Sequence, residues 1–568
     1  MSRGLKGLLL AGWGSLAMAA WGQAPARPTA PAGPPPRAVG DRRAVRATPT
    51  PPPAPSPTPE APMLLSPANP FESGEAPTPL NAVDEAVFAR LAALKIEPAT
   101  VCSDGVFLRR ACLDVIGTLP TADEARAFLA DRDPAKRERL IDRLLERDEF
   151  ADYWTMKWCD LLRVKAEFPI NLWPNAVQAY ERWIRTAVRE NRPYDRFARE
   201  LLTSNGSNFR VPPVNFYRAV ESRDPPGLAR AAVLTFMGER IERWPAARRE
   251  GLECFFSQVA LKSTREWKEE IVYFDPERTN ALGRATAAGV LPDGKKVRFS
   301  PDRDPREDFA DWLISPKNPS FARAIANRAW SWFMGRGIVH EPDDIRPDNP
   351  PSNPELLAVL EKELVSSNWD LKRLFRLILT SRTYQLSPVP RSADPAAEAN
   401  FARYAPRRLD AEVLADALNQ ITGTTESYSS PIPEPFTYLP EEQRSIALGD
   451  GSITSSFLEQ FGRPPRDTGL ESERNNNPTA DQWLHLLNSS HVQRKIEQGP
   501  RIQALLRKDA RPREIVGALY LSILSRPPTA AEAQAVAGYF LREGTNPRDA
   551  AIDLVWSLIN SPEFLYRH

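Results

Sequence analysis

Two polar constellations carry residue types that can do chemistry. The first reads Glu341-Pro342-Asp343-Asp344-Ile345-Arg346-Pro347-Asp348-Asn349-Pro350-Pro351 and follows a tight Gly335-Arg336-Gly337 turn. Adjacent carboxylates at Asp343 and Asp344 suit a divalent cation or an acid–base pair, and Arg346 can neutralise one of them. Neighbours on extended backbone point apart, so both need partners from elsewhere in the fold. The second reads Phe461-Gly462-Arg463-Pro464-Pro465-Arg466-Asp467 and continues through Glu471, Glu473 and Arg474 to Asn475-Asn476-Asn477. A guanidinium fork such as Arg466 beside Asp467 suits carboxylates, phosphates or sulfates. Mixed polar and aromatic surfaces of this kind also suit sugars. The plainer reading of each stretch is a rigid loop whose carboxylates cap helices and pair with arginine, and it carries more weight.

Other chemistry is not written in the chain. Histidine is scarce: His340, His485, His491 and His568. His485 and His491 lie six apart, which does not put them on one helical face, so each is read as structural or exposed and no metal site is expected. Four cysteines occur, Cys102, Cys112, Cys159 and Cys254, with no Cys-x-x-Cys spacing. Apolar neighbours suggest that several are buried thiols, and spacing alone does not define a pairing. No phosphate-cradling glycine loop, nucleophile elbow or zinc-protease helix motif is present.

The elements that must position these residues follow from bulk properties. At 568 residues the chain exceeds one compact core, so at least two domains are expected. A net charge of +1, from 74 basic and 73 acidic residues, argues against a nucleic-acid binder and against a polybasic membrane-surface protein. Arg3, Lys6 and the apolar run that follows, with small residues after it, read as an export signal over residues 1–24. That run is too short to span a bilayer comfortably, and no later segment is apolar enough to cross one. Residues 25–79 hold eighteen of the 57 prolines and read as a disordered spacer, since proline lacks the amide donor a helix needs.

Beyond the spacer the expected fold is mainly α, as two helical domains over 80–275 and 305–568 with a small β element at the 276–304 joint. Asn81 can cap the first helix, whose apolar positions are Val83, Val87, Leu91 and Leu94. Thr121-Ala122-Asp123-Glu124 is a capping box, and Pro527-Pro528-Thr529-Ala530-Ala531-Glu532 repeats the same helix-start grammar. Ile271-Val272-Tyr273-Phe274 and Val297-Arg298-Phe299 read as short strands about the Leu291-Pro292-Asp293-Gly294 turn. Residues 424–480, rich in Ser, Thr, Pro, Gly and Asn, form a long loop region, and loops of that length are often functional.

These segments resemble a family of large secreted proteins of planctomycetes and verrucomicrobia that join two domains of unknown function. Phe107-Leu108-Arg109-Arg110-Ala111-Cys112-Leu113-Asp114 and Gly117-Thr118-Leu119-Pro120-Thr121 are similar to its first domain, described as cytochrome c-like. Asn327-Arg328-Ala329-Trp330, Asp343-Asp344-Ile345-Arg346 with Asn349, and Leu558-Ile559-Asn560-Ser561-Pro562-Glu563-Phe564-Leu565 are similar to the second. The resemblance implies fold, export and domain order. It also places a haem-attachment Cys-x-x-Cys-His after the helix ending at Gly238, where this chain reads Glu239-Arg240-Ile241-Glu242-Arg243-Trp244-Pro245. The covalent ligands are absent, so no cofactor is expected.

Three functions follow in order. The first is an exported envelope protein, periplasmic or extracellular, that binds polysaccharide or a partner protein. Its candidate binding residues are Arg328, Asp343, Asp344, Arg346, Asn349, Arg466 and Asp467. The second is a carbohydrate-active hydrolase using those carboxylates, which requires two carboxyls facing one cleft. The third is a degenerate redox protein.

Overall fold

The computed structural model describes residues 64–279, 286–506, 511–544 and 546–568. The expected signal and the spacer as far as residue 63 lie outside them. Among the described residues the chain forms twenty-three α-helices and three small sheets. The mainly α expectation therefore holds, and no described helix is long and apolar enough to cross a membrane.

The helix starts obey the grammar of the sequence. Asn81 caps Ala82–Leu94 by accepting from the Val83 amide, and Val83, Val87 and Leu91 are buried. Both predicted capping boxes form, Thr121 with Glu124 and Thr529 with Glu532. Asn318 opens Pro319–Met334, and Gly335, at φ 77°, closes it in the left-handed region that favours glycine.

The β element at the joint differs in its pairing from the expectation. Glu270–Phe274 pairs antiparallel with Val259–Ser263 on one side and with Gly206–Ser207 on the other. The Leu291–Gly294 turn instead joins Ala288–Val290 to Lys296–Arg298. Val259–Ser263 opens with two buried residues directly after a helical segment, so the sequence offered little strand signal there.

The spacer also ends earlier than residue 79. The Ser66 amide donates to the Pro528 carbonyl at 2.8 Å, Ser73 donates to Val101 at 2.9 Å, and Val101 donates back to Glu75 at 3.0 Å. Amides left between the prolines thus find carbonyls on the folded body, which is why this stretch is ordered.

One apolar core runs through both halves of the chain. The Trp154 ring, from the first half, lies 4.5 Å from Phe375, 5.1 Å from Trp332 and 5.4 Å from Phe333 of the second. Polar anchors cross the same seam. Arg109 donates to the Ile523 and Phe564 carbonyls at 2.7 and 2.8 Å, and Arg110 donates to His568 and Leu386. These bonds meet both terminal nitrogens of the buried Arg109 guanidinium and offset much of the cost of burying it.

Candidate functional site

The residues singled out by sequence are placed first. Arg328 and Asp343 are both buried and form an ion pair at 2.6 Å, and Arg328 also donates to the Thr235 carbonyl. The other oxygen of Asp343 accepts from the Glu471 amide at 2.6 Å, so the two sequence constellations meet at this carboxylate. Asp344 is held by Arg243 at 2.6 Å and by Arg346 at 3.2 Å, and Arg346 also pairs with Asp348. The Asn349 side-chain amide donates to the His340 and Asp344 carbonyls and closes the loop on itself. Arg466 is fully buried against Asp160 at 2.8 Å and the Gly449 carbonyl, while Asp467 pairs with Lys165 at 2.6 Å.

These residues therefore belong to an ionic scaffold. Its centre joins Asp410 to Lys157 and Arg567, Asp114 to Arg407, and Glu412 to Arg474. Burial alone would raise the Asp410 carboxyl, but Lys157 and Arg567 override it and hold the group well below the usual carboxylate range. A carboxylate locked between two cations is a poor proton donor. This geometry supports the salt-bridged reading of both loops, in which Asp343, Asp344 and Asp467 are each paired with a cation.

Histidine placement corrects the sequence reading. His485 Nε2 lies 3.4 Å from His491 Nδ1, and His491 Nε2 lies 3.1 Å from Glu426. They sit on two consecutive helices, Ala480–Asn488 and Ser490–Gln498, and the break at Ser489 folds them together. Six-residue spacing separates histidines only on a continuous helix. Among the described residues no group of three or more His, Cys, Asp or Glu side chains is arranged to hold a metal ion.

The segment where the resemblance places haem attachment is filled otherwise. The Trp244 indole donates to Glu239 at 2.9 Å, and the Arg248 guanidinium lies 3.7 Å over the Trp244 ring. Neither a thiol pair nor an imidazole stands there, and Cys254 donates its thiol to the Glu250 carbonyl. These residues do not fit a covalently held haem.

Two other regions stand out at the surface. The larger is a cleft of about 1540 Å³ between residues 66–82, 129–138 and 373–385. Its size would make it the first choice, but most of the basic side chains in its lining are already paired. Lys136 and Arg137 are held by Asp104, Arg376 by Glu138, and Arg382 by Glu75. A ligand entering there would have to break those pairs.

The second region is smaller and differently built. Three loops bring Trp173, Trp267 and Phe436 together at the surface. The Trp173 ring centroid lies 5.4 Å from that of Phe436 and 6.4 Å from that of Trp267. Trp267 is 70% exposed and Phe436 47%. Phe168, in the same loop as Trp173, is 80% exposed, and Tyr438 is 73% exposed. Lys268 places its ammonium 5.5 Å from the Trp173 ring and 5.7 Å from that of Trp267. So many large rings left in water in one neighbourhood are costly unless something covers them.

Each loop is fastened where it leaves the platform. The Trp173 amide donates to Ala166 and the Asn171 amide to Glu167, while Ile170 and Leu172 are buried beneath. The Ala166 amide donates to Asp450 and the Glu167 amide to Ser452, which ties this loop to the one carrying Phe436. Trp267 stands in the connection between two paired strands, where Glu269 accepts from Ser207 and Thr264. Trp173 has φ 72°, a conformation bulky residues rarely adopt. Such backbone costs on the order of 1–3 kcal/mol and persists only where the surroundings impose it.

Beside the platform lies a cavity of about 140 Å³ lined by Glu181, Thr437, Tyr438, Asp450 and Gln178 together with apolar side chains. Burial pushes the Glu181 carboxyl up, with Arg185 opposing, and burial likewise pushes Asp450 up. The aromatic cluster and cavity were not found from sequence, because their parts lie about a hundred or more residues apart. The one local signal was context: Trp267 sits between Glu266 and Lys268, and Phe168, Trp173 and Phe436 each adjoin a proline.

Comparison with known proteins divides the chain in two. Residues 82–232 match PSCyt2, described as a protein of unknown function (DUF1549), and residues 305–540 match PSD1, described as a protein of unknown function (DUF1553). The chain thus carries two domains of unknown function in the expected order. No curated protein and no solved structure matches it.

Proposed function

We propose that this protein is exported and binds polysaccharide through the surface formed by Trp173, Trp267 and Phe436. The observation that supports it is the exposure of Trp267 and Phe436 beside the half-buried Trp173. The faces of a pyranose ring that carry axial hydrogens are apolar and lie flat against aromatic rings, while its equatorial hydroxyls reach polar groups at the side. A rigid aromatic platform beside a polar cavity offers both kinds of contact. Tryptophan and tyrosine also give large contact area at low ordering cost, which favours binding of an extended chain.

The export signal and the proline-rich run that follows it support an envelope or extracellular setting, where polysaccharide is abundant. A protein partner on the same rings is the competing outcome. Affinity electrophoresis through gels containing neutral polysaccharides tests the reading. Retardation of the full chain, lost in Trp267→Ala, is the expected result. Unretarded migration in every glycan, with binding to a protein instead, would overturn it.

A further inference from the structure

The cavity beside the aromatic platform is a built site. Glu181 projects from the helix Pro174–Arg189, whose first residue follows Trp173 directly, and among the described residues its carboxyl makes no hydrogen bond to a side chain or amide. Thr437 stands between Phe436 and Tyr438. Its hydroxyl is buried and has no hydrogen-bond partner, and it lines the same cavity. A buried hydroxyl without a partner is costly, and a small rotation of the side chain would bring it to a ligand or water in the cavity. Asp450 lines the cavity while one of its oxygens accepts from the Ala166 and Ser452 amides.

Space and charge both restrict the occupant. A volume of about 140 Å³ is several times that of one water and close to that of a single sugar ring. Two carboxyls line it, and no lysine or arginine does. Three guanidiniums act on Glu181: Arg185, which pairs with Asp152, Arg466, which pairs with Asp160, and Arg182, which lies outside the cavity lining. Gly449 is part of the construction, since a β-carbon there would lie 2.5 Å from the Glu181 Cγ.

We infer that this cavity is a selectivity subsite that seats one uncharged or amine-bearing sugar unit of the chain lying on the platform, with Glu181 accepting from its hydroxyls and rejecting uronate or sulfate units. The inference rests on the polysaccharide reading and names its substrate class. The only charged groups in the lining are carboxyls, which suit hydroxyls and ammonium groups. A second carboxylate in the same space would face Glu181 and Asp450 without a cation between them.

The test uses the full chain on an array of neutral, amino and uronate hexasaccharides, followed by calorimetric titration of the tightest neutral hexasaccharide. Wild-type protein is expected to prefer neutral or amino chains over uronate chains by at least tenfold. Glu181→Gln is expected to weaken neutral binding about tenfold and to narrow that preference. Thr437→Val, which removes only the hydroxyl and keeps the shape, is expected to weaken binding severalfold with no fall in melting temperature. Preference for uronate chains, or full affinity and unchanged preference in both variants while Trp267→Ala still loses binding, would remove the subsite and leave the platform standing. Absence of binding to every hexasaccharide by the wild type would remove both.

Discussion

The indole of Trp173 and the ring of Phe436 lie 5.4 Å apart at 58°, although 262 residues separate them in the chain. Buried polar ties lie near them, among them Asp450 accepting from the Ala166 amide at 2.9 Å. Surface and scaffold can therefore be separated by mutation.

Trp267 tests the surface alone. Its ring is mostly in water, so Trp267→Ala should change stability by less than about 0.5 kcal/mol. Trp154→Ala, in the shared core, should cost about 3–5 kcal/mol by the same measure. Urea titration of both variants checks the contrast.

Asp343 tests the scaffold. Asp343→Asn leaves Arg328 buried with an uncompensated charge, and breaking a buried pair from one side costs about 3–5 kcal/mol. Denaturant midpoints should fall accordingly, while Asp344→Asn, half-buried and surface-paired, should cost less than about 1 kcal/mol. Equal losses in both would contradict the placement of Asp343.

Stability should weaken in mild acid. Burial pushes His568 down to about 4, so the folded state binds fewer protons than the unfolded state between pH 6.5 and 4. Its contribution is complete above pH 6.5 and lost as pH falls toward 4. One proton over that window amounts to roughly 3 kcal/mol at most. His340 and His485, also held down by burial, add to the same limb. His568→Asn should flatten the curve measured by chemical denaturation at stepped pH.

Thiol reactivity should divide the cysteines. Cys102, Cys112 and Cys159 are buried and free, and burial pushes the Cys112 thiol up to about 12. Cys254 is only half-buried. Alkylation of native protein at pH 8 should label Cys254 first, and all four should react in denaturant. Fast labelling of Cys112 would show that its region opens.

Much of the architecture was readable from local grammar. The Asn81 cap and the capping boxes at Thr121 and Thr529 depend on residues within one turn, and they form where they were expected. The loop over residues 424–480 was readable as irregular, and it does supply Phe436, Thr437, Tyr438 and Asp450. What the chain hid was long-range. Arg109 donating to Phe564 and Trp154 packing on Phe375 decide that the halves share a core, and no periodicity carries that information. Asp343 and Arg466 looked chemical because they are charged in a loop, while their burial against Arg328 and Asp160 is a property of the fold.

The account stands most directly on titration of the full-length chain with a neutral polysaccharide, alongside the Trp267→Ala and Phe436→Ala variants. Saturable binding by the wild type, weakened at least tenfold in each variant with melting temperatures unchanged, is the predicted result. Identical binding by all three proteins, or none by the wild type across neutral glycans, would contradict it.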